Sequence, residues 1–251
     1  MSRRKRNKGR SQSGAGSRQA PLDSSQSKDS DTPSELSDAE PPPGDEVPDS
    51  ESPLEPGTRV RVFDRPDWIA CLLTTLITMA VYLFTIAPDV TLEDSGELAV
   101  GSMYAGVPHP PGYPMWTLYS WFFTVIIPVS NIAWRVAVSS AFAAAVSCGL
   151  LALMISRVSR LFMQGIEMFR GMDDKQAHAI RTVAGITGGL LMGFHGYMWS
   201  QAVIVEVYTL AMLTFTITLA LLLRWYLAPE KYWPLYLAYL SFGLGFANHQ
   251  T

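Results

Sequence analysis

Cysteine, nucleotide-binding motifs and, beyond its first quarter, charge are what this 251-residue sequence has little of. The two cysteines, Cys71 and Cys148, each lie in an apolar run with neither CxxC spacing nor a nearby histidine, so a disulfide framework and a zinc site are both without support. No GxxxxGK[ST] or GxGxxG occurs. Gly185, Gly188 and Gly189 stand instead in a helical apolar stretch, where small residues permit close helix packing. Nucleotide chemistry is not indicated, and no metal site is expected.

The charge deficit is local. Residues 1–67 hold 11 basic and 13 acidic residues, leaving 8 basic and 9 acidic for the other 184. That is far below the roughly 25% charged content of a soluble domain. The charge-poor part also carries several apolar runs near the roughly 20 residues that cross a bilayer, which excludes most soluble enzyme classes and predicts an integral membrane protein.

The first 66 residues read as a disordered cytoplasmic tail. Residues 1–18 carry Arg3, Arg4, Lys5, Arg6, Lys8, Arg10 and Arg18 and no acid, whereas residues 19–57 carry 11 acids and only Lys28. Such composition buries too little apolar surface to fold. The basic run has no interleaved aromatics, so nucleic acid is not an expected partner; the bilayer is. No small-residue cleavage pattern follows the first apolar run, which therefore reads as a retained signal anchor.

Charge counting sets an expected topology. Arg59, Arg61 and Arg65 precede the first span, and Asp89, Glu93, Asp94 and Glu97 follow it, so it should run outward from the cytoplasm. Five basic residues, Arg157, Arg160, Arg170, Lys175 and Arg181, mark a later loop as cytoplasmic. For both to hold, the short segment from Tyr113 to Val129, rich in Trp and Pro, must lie along the outer face. The expectation is an all-α polytopic bundle of about five spans, 68–87, 134–156, 182–198, 203–224 and 234–250, with an outer juxtamembrane helical loop. It places the loop after Ala87, the Trp199–Tyr208 turn and His249 on one outer face. Ending on an apolar helix with no closing basic segment, the sequence reads as the N-terminal piece of a longer protein.

The residues suited to chemistry gather on that face. If Leu92 onward is helical, Glu93 and Glu97 are four apart and Asp94 and Glu97 three apart, close enough for repulsion to make one carboxylate a better proton acceptor. The same residues also fit a plain helix cap, with Thr91 and Asp94 in the S/T-x-x-[DE] relation. His109 stands between Pro108 and Pro110-Pro111, whose fixed φ angles restrain its backbone and suit it to a phosphate or proton. Glu206 is the only acid between Asp174 and Glu230; an ionisable group in an apolar span is costly and usually faces protein or water. A structural hydrogen bond would explain it equally.

Several ordered motifs resemble one family. They are Ala87-Pro with Asp94-Ser-Gly-Glu97, Gly106-Val-x-His109-Pro-Pro-Gly-Tyr-Pro114, Asn131-Ile-Ala-x-Arg135-Val, Trp199-x-x-Ala with Glu206-Val-Tyr208, and Gly243-Leu with Asn248. From about Asp67 onward the chain is similar to the polytopic membrane family that includes the transmembrane protein O-mannosyltransferase of plexin and hepatocyte-growth-factor-receptor domains, together with uncharacterised bacterial proteins. That family is in turn similar to the GT-C glycosyltransferases. The resemblance implies a sugar, with mannose expected, moved by inversion from a polyprenyl phosphate to a hydroxyl on a protein Ser or Thr or on a glycan. It gives Asp94 and Glu97 catalytic roles and puts His109 and Arg135 at the donor phosphate, with Glu93, Glu206, Tyr208 and His249 in support. It implies no cofactor beyond the lipid-linked substrate, and a site on the outer face of a bacterial inner membrane or the lumenal face of the endoplasmic reticulum. Residues 67–251 would be only the first part of such a domain. Two other classes stay open: an ion-coupled transporter using Asp94, Glu97 and Glu206, and a nonenzymatic membrane scaffold.

Overall fold

A computed structural model describes residues 61–91, 94–169 and 171–248. They fall in one compact unit, Gly57–Thr251. Almost all of the expected tail, along with Glu93 and His249, lies outside the described residues.

The described residues form eight α-helices, with no strand among them: α1 (Arg65–Thr85), α2 (Ser95–Met103), α3 (Pro114–Ile126), α4 (Ile132–Gly165), α5 (Asp174–Gly193), α6 (Gly196–Ala202), α7 (Tyr208–Leu227) and α8 (Trp233–Phe246). Local chemistry sets several boundaries. Pro66 occupies the first turn of α1, where its missing N–H costs nothing, and Asp67 accepts the backbone N–H of Asp64 at 2.9 Å. Asn131 caps α4 by accepting the Trp134 N–H at 2.8 Å.

Packing contacts give the helix directions. The Ser156 hydroxyl of α4 donates to Asp67 at the start of α1, while Gly149 faces Cys71 and Thr75, so these two helices are antiparallel. Gly185 and Gly189 of α5 face Ala70 and Thr74 in the same order, which makes α5 parallel to α1. A Cβ on Gly185 would lie 2.6 Å from the Ala152 carbonyl oxygen, and one on Gly189 2.7 Å from that of Cys148. The sequence's expectation of close helix packing at these glycines is therefore met, against both α1 and α4. At the other side, Asn248 donates to the Val207 carbonyl and Ser241 to that of Thr214, so α8 returns antiparallel to α7.

Among the described residues, three helices are long and apolar enough to cross a membrane: α1, α4 and α7. The other two expected spans do not reach that measure. Asp174, Lys175 and Arg181 dilute the apolar character of α5, and α8 has only 14 residues, about 21 Å of helix. The central helix is α4, buried along most of its length, whereas α1 and α7 leave large apolar side chains such as Leu72, Leu76, Phe84 and Phe215 exposed, as lipid-facing helices do.

The sequence also predicts one helix over 203–224. Helix α7 starts only at Tyr208, because Val203, Ile204, Val205 and Val207 crowd a helical backbone and the chain bends between α6 and α7. Glu206 therefore sits in a bend and not inside a span. Similarly, α2 begins at Ser95 and not at Leu92.

Between α1 and α4 the chain leaves and returns to one end of the bundle. The Asn131 side chain donates to the Pro88 carbonyl at 2.8 Å, joining the exit of α1 to the entry of α4. Helices α2 and α3 are tied to each other by Ser102 and Ser120, whose hydroxyls lie 2.7 Å apart. Helix α3 is fixed to α4 where the Tyr119 hydroxyl donates to the Ser139 carbonyl at 2.8 Å. The same end collects the α6 region, with Ala87 donating to the Val203 carbonyl at 2.8 Å and Trp199 to the Thr85 hydroxyl at 3.1 Å.

Candidate active site

Asp94 is the residue before α2, at its cap position, but its side chain makes no capping hydrogen bond. The Thr91 hydroxyl lies 2.7 Å from that of Ser95 and, among the described residues, accepts no backbone N–H. The plain capping explanation of this acidic cluster is thus not the arrangement adopted. Asp94 keeps a 61% exposed side chain.

Glu97, one turn along α2, reaches the proline-rich loop. The His109 backbone N–H donates to its Oε1 at 2.6 Å, and His109 Nδ1 lies 3.1 Å from its Oε2. Nδ1–H donating to Glu97 leaves Nε2 as the acceptor for the Tyr113 hydroxyl at 3.3 Å, with Asp94 Oδ2 3.8 Å away on the same side. The Tyr113 ring meets His109 edge-on, with centroids 5.5 Å apart.

Local backbone chemistry places these groups. Gly112 (φ +93°) closes a turn by donating to the His109 carbonyl at 2.9 Å, and Tyr113 follows at φ 41°, ψ 53°, a left-handed conformation that a residue with a bulky side chain adopts only under constraint. Pro114 then opens α3. The Pro110-Pro111 peptide is cis.

Tyr113 is nearly buried, and its phenol is pushed above its ordinary value first by that burial and then by the carboxylates of Asp94, Glu206 and Glu97. It remains a hydroxyl donor at neutral pH. Glu206 is anchored to α3 and α4 through its backbone. Its carbonyl accepts from Trp116 Nε1 at 3.0 Å and from the Ser140 hydroxyl at 3.2 Å, and its carboxylate accepts the Val207 N–H at 3.1 Å. Trp116, Val136, Val205 and Leu98 belong to the apolar cluster below, so α2, α3, α4 and the 203–207 bend rest on one core.

Of the residues singled out in the sequence, the structure brings together Asp94, Glu97 and His109, with the Glu206 backbone held to Trp116 one turn beyond Tyr113. Tyr208 opens α7, its ring 6.4 Å from that of Tyr197. Arg135 lies at the turn between α3 and α4 and donates to the carbonyls of Val129, Thr124 and Ser130 at 3.0, 3.2 and 2.9 Å; none of these contacts reaches His109. Sequence reasoning did not single out Tyr113, although its place between Gly112 and Pro114 marks a constrained turn. Asp94, Glu97 and His109 each offer one ligand atom within 4.8 Å of the others, a donor set able to hold a divalent cation.

Long apolar helices with polar groups converging at one bundle end define the class, a helical integral membrane protein. Within it, the chain belongs to the family described as Protein O-mannosyl-transferase TMEM260 N-terminal domain, whose model matches residues 94–251. The match opens at Asp94 and contains every candidate residue except Glu93. The chain is similar to Protein O-mannosyl-transferase tmem260 of Dictyostelium discoideum, 39% identical over 75 residues that cover 29% of this chain and 9% of that relative. It is also similar to Protein O-mannosyl-transferase TMEM260 of Mus musculus, 27% identical over 175 residues, or 68% of this chain and 22% of that protein. This chain thus spans about a fifth of the mouse relative. No solved structure matches.

Proposed function

We propose that the chain is the catalytic N-terminal part of a membrane O-mannosyltransferase that uses a polyprenyl-phosphate sugar and a Ser or Thr hydroxyl of a protein. The observation that carries this reading is Asp94: an exposed carboxylate with no capping bond, beside a histidine already held by a second carboxylate. In the reaction, the acceptor oxygen attacks the anomeric carbon and gives its proton to Asp94. The bond from that carbon to the phosphate oxygen breaks, and the lipid phosphate leaves with the electron pair, so the anomeric configuration inverts.

Glu97 positions His109 and does not itself serve as base. The Tyr113 hydroxyl faces the phosphate; turning its O–H from His109 Nε2 to the phosphate oxygen supplies a hydrogen bond that stabilises the charge on the leaving group, while His109, its Nδ1–H held by Glu97, lines the donor side. Arg135, assigned to the phosphate by its motif, gives three of its N–H groups to carbonyls and has two left for that role. Glu206, buried near Tyr113, supports the acceptor side, with Tyr208, Glu93 and His249 in supporting roles. A site at the lipid and water boundary lets a bilayer-dissolved donor meet an aqueous acceptor. The loop from Pro88 to Asn131 is assigned to the outer or lumenal face, and residues 1–66 to a cytoplasmic tail. No metal takes part in this scheme.

Full-length protein in membranes, given labelled polyprenyl-phosphate mannose and an acceptor domain, should move label into protein and keep doing so after treatment with a chelator. Label that crosses the membrane unattached would favour a transporter. Activity lost to the chelator and restored by a divalent ion would assign Asp94, Glu97 and His109 to a cation.

A further inference from the structure

The opposite end of the bundle holds a second polar assembly. Asp67, fully buried at the start of α1, accepts from Arg181 Nη2 at 2.8 Å and from the Ser156 hydroxyl at 2.6 Å. Asp64 accepts from Arg160 Nη1 at 2.6 Å and from Arg157 Nη1 at 3.1 Å, and lies 3.6 Å from Arg181. Two carboxylates thus hold three guanidinium groups, from α4 and α5, in fixed positions, an excess of one positive charge.

This network forms one wall of an open cavity of about 720 Å³ lined by Arg61, Arg65, Arg160, Arg181 and His178, with only Asp64 and Asp174 as acids. Its lining carries two more positive than negative charges before His178 is counted. Arg61 and Arg65 are exposed at the mouth, and no ion pair holds either among the described residues. The remaining wall is mainly apolar, with Pro66, Met163, Phe169 and Met172 beside Gln164. Cationic groups beside a mainly apolar wall, at the level where α1 begins and α4 ends, match an amphiphile whose head is a multiply charged phosphate and whose tail is hydrocarbon.

We propose that this cavity binds the headgroup of an anionic phospholipid bearing phosphomonoesters, on the membrane face opposite the Asp94 site. Arg160 and Arg181 are pre-ordered by the aspartates, and Arg61 and Arg65 close over the headgroup from the mouth. The apolar wall distinguishes a lipid from a free phosphate. This assignment does not depend on the sugar-transfer reading.

Full-length protein reconstituted in phosphatidylcholine nanodiscs, with or without a few mole per cent of phosphatidylinositol bisphosphate, supplies the test, with bound lipid counted by native mass spectrometry. Saturable retention of the bisphosphate lipid is expected, weakened at least tenfold in Arg61→Gln/Arg65→Gln and in Met163→Glu, which places a carboxylate in the cavity without removing an arginine. Insertion is checked independently by the accessibility of a cysteine at Val107. Equal retention by wild type and both correctly inserted variants would overturn the site. Displacement of the lipid by equimolar soluble inositol phosphate would overturn the lipid assignment and leave a phosphate site.

Discussion

His109 reaches back twelve residues to grip Glu97 twice, through its backbone N–H at 2.6 Å and through its ring Nδ1 at 3.1 Å. This double contact fixes the loop that follows α2 against the helix itself. It also occupies Glu97, so that of the two carboxylates at the start of α2 only Asp94 remains open to an acceptor hydroxyl. The division of labour between them follows from that geometry.

Glu97→Gln keeps an acceptor for the His109 backbone N–H but loses the charge facing the ring. It should lower turnover about tenfold with little change in acceptor KM, as expected of a positioning residue. His109→Ala should raise the KM for the lipid-linked donor. Steady-state kinetics with each substrate varied separate the two effects, and an unchanged donor KM in His109→Ala would remove the histidine from the phosphate.

The loop containing Val107 and the start of α5 at Lys175 should lie on opposite sides of the membrane. Cys71 and Cys148 are buried, so single cysteines introduced at Val107 and Lys175 should dominate labelling by an impermeant thiol reagent. Labelling of both from one side would contradict the assigned topology.

Asp67 should matter for stability and not for chemistry. Asp67→Ala leaves Arg181 buried with its closest carboxylate partner gone, which should destabilise the folded protein by about 3–5 kcal/mol. Thermal unfolding in detergent measures the loss. A variant as stable as the wild type would show that Asp64 and Ser156 suffice to hold Arg181.

Charge scarcity and apolar run length made the helical membrane class legible in the sequence, because those features are the ones a bilayer selects. The proximity of Asp94, Glu97 and His109 was legible in part, since their spacing and the prolines around His109 are local signals. Other features depend on tertiary contacts. Nothing local to Asp67 announces that it pairs with Arg181, 114 residues away. Arg157, Arg160 and Arg181 read as simple inside-loop charges, yet each is tied to an aspartate that begins α1. The break at 203–207 was hidden by apolar composition, which suits a buried bend as well as a span. Tyr113 gained its place only when its left-handed turn brought the ring to His109.

The most direct measurement compares Asp94→Asn with Asp94→Ala in correctly inserted full-length protein, scoring transfer turnover and folded yield together. Asp94→Asn retains size and hydrogen bonding but cannot take the proton, so turnover should fall by roughly 10²-fold or more in both variants while folded yield stays near that of the wild type. A capping role would give the reverse pattern: Asn, a good N-cap, would leave activity nearly intact, and Ala would cost about 1 kcal/mol of stability. An active Asp94→Asn enzyme would contradict the assignment of Asp94 as the base.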